Sequence, residues 1–158
     1  MVENYVIIIK YRNKVINMYE EKTLILIKPD GVKLGIIGEI ITRIERKGYR
    51  IEALKVAKAS KEQLQDHYSE LVNKTFYKEI ETYMQEGPII AVIASGTQII
   101  NVFHRMAGAT NPSLANFGTI RGDFGHEYND GILRNIVHSS DSLRQAKKEI
   151  KIWFPEMY

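Results

Sequence analysis

The chain has 158 residues, 44% hydrophobic and 26% charged, a size and balance that suit one domain better than two. It contains no cysteine, which excludes disulfides and thiolate metal sites and makes a reducing cytoplasm the expected compartment. The net charge of +3 is no nucleic-acid signal, because Lys10, Arg12 and Lys14 against Glu3 place +2 in residues 1–17 and leave +1 for the body.

Residues 1–17 read as an extension attached to a domain at 18–158, a short strand with a basic, Asn-containing turn. Glu3 stands where a secretory leader would carry positive charge, and no apolar run approaches the ~20 residues needed to cross a bilayer. A soluble, unexported protein without a membrane partner is expected.

Thr23 to Ile27 is a β-branched apolar run, predicted as a buried strand. Lys28 ends it, and Pro29-Asp30-Gly31 has turn chemistry. Ile36, Ile37, Ile40, Ile41 and Ile44 fall at helical spacing, with Lys47-Gly48 as the stop. A strand near 49–59 follows. Ser60 with Gln63 is a capping box for a helix to about Leu71. Further elements are a helix at about 76–85, a strand at 89–94 and a helix at about 97–107. Residues 108–133 are rich in Gly, Asn, Pro and Asp without periodicity, and a loop of this length in a compact domain is usually functional or disordered. Ile136-Val137-His138 reads as a short strand. Ser142 with Gln145 caps a last helix whose buried face is Leu143, Ala146, Ile150 and Trp153.

This order gives an α+β fold of the ferredoxin-like type, a four-stranded antiparallel sheet with helices packed on it. The phosphate-binding loop GxxxxGK[ST] is absent, as are GxGxxG, HRD and DFG. Four histidines, well separated in sequence, give no support to a structural zinc site.

His138 closes an apolar strand and precedes Ser139-Ser140-Asp141-Ser142 at a helix start, where backbone N–H groups favour anions. A neutral imidazole there is a competent nucleophile if its other nitrogen is held; the alternative is a half-buried histidine satisfied by a carbonyl. Arg121 lies between glycines that permit close approach to a ligand, or it pairs with Asp123. Lys28 is placed to bind phosphate, or it is a solvated strand end. Glu149, beside Lys147 and Lys148, reads as a solvated helix acid. The run Arg121-Gly122-Asp123-Phe124-Gly125 has the basic–Gly–aromatic outline of an RNA-binding strand, but Asp123 stands where that motif needs an aromatic.

Together these segments resemble nucleoside diphosphate kinases from about residue 22 to 154. The matching stretches are Lys28-Pro29-Asp30-Gly31-Val32, Gly38-Glu39-Ile40-Ile41, His67-Tyr68, Gly87-Pro88, Gly108 to Pro112, Gly118 to Phe124 and Asn135 to Ser142, the last being the most specific. The resemblance implies ping-pong transfer of the γ-phosphate of ATP, or another nucleoside triphosphate, to nucleoside diphosphates through a phosphohistidine at His138. It implies that Lys28, Arg121 and Thr110 bind phosphates and that Asn135 with Lys28 reaches the sugar hydroxyl. Tyr68 would support Lys28, Ser140 and Glu149 would orient the imidazole, and Phe76, Ile80 and Leu133 would hold the base. Mg²⁺ would arrive on the nucleotide rather than on a protein site. Self-association into a hexamer or tetramer is implied, and no nucleic acid is required.

Departures from the family pattern carry expectations of their own. His104 replaces a usual arginine among the nucleotide-binding residues, and Arg105 is one residue away, turned by ~100° on a helix. Phosphate binding is then weakened or made pH-dependent. Leu34 replaces a common arginine, the segment between Phe124 and Asn135 is long, as in archaeal forms, and the end at Tyr158 is early.

Overall fold

The computed structural model describes residues 6–11 and 14–157, with side chains from Glu20 to Met157. Strand β1 (Val6–Tyr11) pairs antiparallel with the first half of β2 (Lys14–Ile27). Residues 12–13, between these two strands, lie outside the described residues, so the basic, Asn-containing turn expected within 1–17 is not described. β2 is longer than the apolar run at its end because residues 14–19 have β1 as a partner.

Beyond this hairpin, β3 (Arg50–Ala57), β4 (Ile89–Thr97) and β5 (Val137–Ser139) complete an antiparallel core sheet in the order β3-β4-β2-β5. The expected four-stranded ferredoxin-like sheet is present, with β1 added at the far end of β2. β2 and β4 sit in the middle, and their alternate residues feed two separate cores. Ile25 and Ile27 face a cluster that includes Ile40 and Ile44 of α2 (Ile37–Arg46) and Phe103 of α5 (Ile99–Ala107). Leu24 and Leu26 face Leu64 of α3 (Lys61–His67), Tyr83 and Met84 of α4 (Tyr77–Met84), and Trp153 of α7 (Leu143–Trp153). Cover on both faces is why Thr23 to Ile27 is continuously apolar instead of alternating.

Three local expectations need correction. Pro29-Asp30-Gly31 is not a simple turn but opens α1 (Pro29–Lys33), where proline at the first position has its φ preset and no N–H to waste. The segment after Gly108 holds a 3₁₀ turn at Pro112–Leu114 and helix α6 (Ile120–Phe124), capped by Thr119 Oγ1, which accepts from Gly122 N at 3.1 Å. The basic–Gly–aromatic run is therefore helical and offers no strand platform for bases. Leu143 is 47% exposed at the start of α7, and the buried face there is Ala146, Glu149, Ile150 and Trp153. The serine half of both capping boxes forms, with Ser60 Oγ accepting from Gln63 N and Ser142 Oγ from Gln145 N, while the Gln63 side chain donates to Ile152 O instead.

Candidate active site

A cavity of about 290 Å³ opens where β5, the end of β2 and the segment from Gly108 to α6 converge. Its wall includes Lys28, His67, Tyr68, His104, Thr110, Arg121, Asn135, His138 and Glu149. Residues up to 121 positions apart in sequence meet here because β5 lies beside the end of β2, with His138 opposite Leu26.

His138 Nε2 lies 2.9 Å from Glu149 Oε2, and the same oxygen accepts from Ser140 Oγ at 2.6 Å. A carboxylate has no proton to give, so the shared proton belongs to Nε2 and the lone pair of the ring is left on Nδ1. Burial, with Lys28 nearby, holds His138 down to about 3, so the imidazole is neutral at pH 7. Glu149 is 5% exposed, and burial raises its pKa, with the neighbouring His67 and the Ser140 bond working the other way. It is no solvated helix acid. It sits one helical turn from Ala146 on the buried stripe of α7.

Lys28 is 9% exposed and donates from Nζ to Asn135 Oδ1 at 2.7 Å, while Asn135 Nδ2 donates to Thr110 O at 3.0 Å. Burial, with Arg121 as a like charge nearby, lowers Lys28 to about 7. Arg121 does not pair with Asp123, which binds Arg43 Nη2 at 2.7 Å. Its guanidinium donates instead to three backbone carbonyls, Asn135 O at 3.0 Å, Gly108 O at 2.7 Å and Val137 O at 2.8 Å. A guanidinium has five N–H donors, so two remain for a ligand. Gly122 lets the helix come this close, since a Cβ there would lie 2.1 Å from Asn116 O. Two cations crowded into one buried corner are a standing attraction for an anion.

The remaining expected residues are distributed less tightly. Tyr68 does not bond Lys28; its buried hydroxyl has no partner among the described residues, and the ring beneath Lys28 Nζ, 5.7 Å away, is Tyr83. His104 projects from α5 with Nδ1 at 3.3 Å from Ser139 Oγ and 3.8 Å from Asp141 Oδ1, whereas Arg105 is exposed and off the cavity wall. Phe76 (46% exposed) at the start of α4 and Leu133 (48% exposed) stand outside this wall, Leu133 on a separate cavity of about 190 Å³. Ile80 packs partly buried against the core below α4.

Four residues at or near the site were not foreseen. Tyr83 donates to Asp30 Oδ1 at 2.6 Å, and Trp153 Nε1 donates to His67 Nδ1 at 3.2 Å. The histidines are not separated in space, since the His67 and His138 rings meet edge to face at 4.4 Å between centroids. His67, His138 and Glu149 can bring one ligand atom each within 4.8 Å of one another. Glu149 Oε2 is already committed to His138 and Ser140, and the Trp153 bond to His67 Nδ1 leaves the proton of that neutral ring on Nε2, which has no partner among the described residues.

The family model for nucleoside diphosphate kinase matches residues 21–158. The chain belongs to the nucleoside diphosphate kinase family. Its chemistry is accordingly phosphotransfer between nucleotides. A nucleoside diphosphate kinase of Thermobifida fusca is 46% identical over 137 residues, covering 87% of this chain and 98% of the relative. Human nucleoside diphosphate kinase B is 45% identical over 134 residues, covering 85% and 86%. Among solved structures, the apo enzyme of Encephalitozoon cuniculi superposes with TM-score 0.79 at 39% identity, covering 84% of this chain and 88% of that one. A transition-state mimic of the Borrelia burgdorferi kinase, with bound vanadate and ADP, gives TM-score 0.80 at 32% identity, covering 85% and 87%.

Proposed function

We propose that this chain moves the γ-phosphate of ATP, or of another nucleoside triphosphate, to nucleoside and deoxynucleoside diphosphates by a ping-pong route through His138. The observation that carries the assignment is the His138–Glu149–Ser140 chain, which leaves Nδ1 unprotonated beside two buried cations. Nδ1 forms a bond to the γ-phosphorus as the bond from that phosphorus to the β,γ-bridging oxygen breaks, and the electron pair leaves on the diphosphate. In the second half, a terminal oxygen of the acceptor diphosphate attacks the phosphohistidine and the imidazole leaves neutral. Positioning and charge neutralisation supply most of the catalysis in phosphoryl transfer. Here Lys28, Arg121 and Thr110 receive the phosphates, Asn135 with Lys28 meets the sugar hydroxyl, and Phe76, Ile80 and Leu133 supply the apolar surface for the base.

Mg²⁺ fits as a passenger of the nucleotide. The buried carboxylates Asp30 and Glu149 make hydrogen bonds within the protein, and the acids on the wall, Glu70 and Asp141, lie on separate segments, so the described residues offer no oxygen cage for an octahedral ion. Bound to the phosphates, the ion supplies further neutralisation of their charge.

The direct test is incubation with γ-labelled ATP. An acid-labile, base-stable label should appear on the intact chain and leave when a diphosphate is added. A chain that takes no label is not a kinase of this mechanism.

The site also sets a pH profile. Phosphate binding needs Lys28 charged, which holds below about 7, and attack needs His138 neutral, which holds above about 3. Between about pH 5 and pH 9, kcat/KM should therefore be level at the acid end and fall above neutrality, approaching tenfold per pH unit. A profile flat through the alkaline side would remove Lys28 from phosphate binding. His104→Arg should tighten ADP binding by about tenfold, because a planar cationic donor holds phosphate better than an imidazole bonded to Ser139. An unchanged affinity would show that His104 does not face the phosphates.

Assembly into a hexamer or tetramer has support in the open edge strand β3, where Leu54 and Val56 are 49% and 69% exposed, and in Leu114 and Phe117, exposed at 76% and 94%. Solution mass measures it. No helix among the described residues is long and apolar enough to cross a membrane, and a cysteine-free chain suits the cytoplasm. Residues 1–17 stand outside the family match and are read as an attachment to the catalytic domain. The archaeal-like reading rests on the long segment after Phe124, while the relatives named above are bacterial and eukaryotic.

A further inference from the structure

The residues that link Asn135 to His138 are wound in a way their types do not favour. Ile136 has φ +67°, although a β-branched side chain is strained in that region. Val137 N donates to Asn135 O at 2.7 Å, so residues 135–137 close a γ-turn of the rare positive-φ kind. This turn has a consequence for the cavity. Along an uninterrupted strand, residues three apart point to opposite faces. Asn135 and His138 nevertheless line the same cavity, because the turn resets the alternation between them.

Strain persists only where the surroundings over-determine it. Asp30 Oδ2 accepts from Ile136 N at 3.0 Å, and Oδ1 accepts from Tyr83 OH at 2.6 Å. Lys28 N donates to Ile136 O at 2.8 Å, completing the grip on both polar groups of that residue. Asp30 and Tyr83 are 6% and 2% exposed, so these bonds are made away from water. Gly31 admits the turn, since a Cβ there would lie 3.2 Å from Ile136 O and 2.9 Å from Ile27 Cγ2.

We infer that Asp30, steadied by Tyr83, is a positioning residue that holds the Ile136 γ-turn and thereby aims Asn135 and His138 into one cavity. This rests on the reading of His138 as the phosphate carrier. Asp30 touches no reacting atom; it acts through the backbone of Ile136. Its neighbour in sequence space, the Lys28 side chain, reads the same turn through Asn135, so one carboxylate sets three of the groups on the cavity wall.

The test compares wild type, Asp30→Ala, Asp30→Asn and Tyr83→Phe by single-turnover labelling with γ-labelled ATP and by steady-state kcat and KM. A small misplacement of reacting groups lowers rate by roughly 10²-fold. Asp30→Ala is expected to lose that much in the labelling rate at saturating ATP, with KM also raised because Asn135 and Lys28 move with the turn. Asp30→Asn keeps an oxygen for Ile136 N and should recover at least about tenfold of the loss. Tyr83→Phe should slow labelling by about three- to tenfold, and it decides the matter if Asp30→Ala does not fold. Hydrogen exchange at the Ile136 amide should quicken in step with the loss of rate. A folded Asp30→Ala or Tyr83→Phe with the wild-type labelling rate, or an effect confined to KM or to thermal stability, overturns the proposal. A wild-type chain that takes no label overturns the reading of His138 instead.

Discussion

His138→Ala is expected to lower nucleotide exchange by about 10⁴-fold or more, the scale of losing an enzyme's nucleophile, and to leave the chain unlabelled by γ-labelled ATP. His138 is the wall residue whose free ring nitrogen has a buried carboxylate bonded behind it. His67 Nδ1 is occupied by the Trp153 indole, which leaves the proton of that neutral ring on Nε2, and Ser139 Oγ faces His104, whose carboxylate neighbour Asp141 is exposed rather than buried. Binding should survive the change. Lys28, Arg121 and Asn135 hold one another and the backbone through bonds that do not pass through the imidazole, so ADP affinity should stay within about threefold. The fold should survive as well, because Glu149 keeps its bond from Ser140. Exchange assay, labelling and ADP titration on one preparation check all three. A labelled His138→Ala chain would place the phosphate elsewhere.

Much of this site could be read from local pattern, and the rest could not for a definite reason. The strand end followed by capping side chains at His138 was legible as a local signal open to a nucleophile or a half-buried histidine, and Ser60 and Ser142 cap their helices where the sequence put them. Lys28, Arg121 and Asn135 were legible in their segments through the family's motifs. Their partners were not. Asp123 turned to Arg43, 80 positions away, instead of to Arg121, and Asp30 reached Ile136 across 106 positions. Trp153 meets His67 across 86 positions, and His67 in turn meets the distant His138 edge to face. Pairings of that range are set by the sheet order, not by neighbours in the chain. Glu149 did carry a usable signal. A carboxylate one turn from Ala146 and one residue before Ile150 lies on the apolar stripe of an amphipathic helix, and a charge there demands a partner. Its lysine neighbours pointed to solvent and masked that.

Arg121→Ala is the second large effect, and it should fall on stability and turnover together. The guanidinium, proposed as a phosphate ligand, is also the bracket that ties Gly108, Asn135 and Val137 into one wall. Removing it takes a donor from three carbonyls, of which Asn135 O keeps Val137 N, in a site that is 6% exposed at Arg121. An unsatisfied buried polar group costs roughly 1–3 kcal/mol, and water entering the gap recovers part, so a net loss of about 3–5 kcal/mol is expected. For a domain of this size that lowers Tm by roughly 10 °C or more. Turnover should fall by about 10³-fold or more, the range found when an arginine that neutralises a transferring phosphoryl group is removed. Arg121→Lys separates the two duties. An ammonium restores charge but has no planar fork to span three carbonyls, so part of the rate should return while most of the Tm loss remains. Thermal melts and kcat on both variants decide it: an Arg121→Lys chain with wild-type Tm would show that the backbone bracket is not what holds the cavity wall.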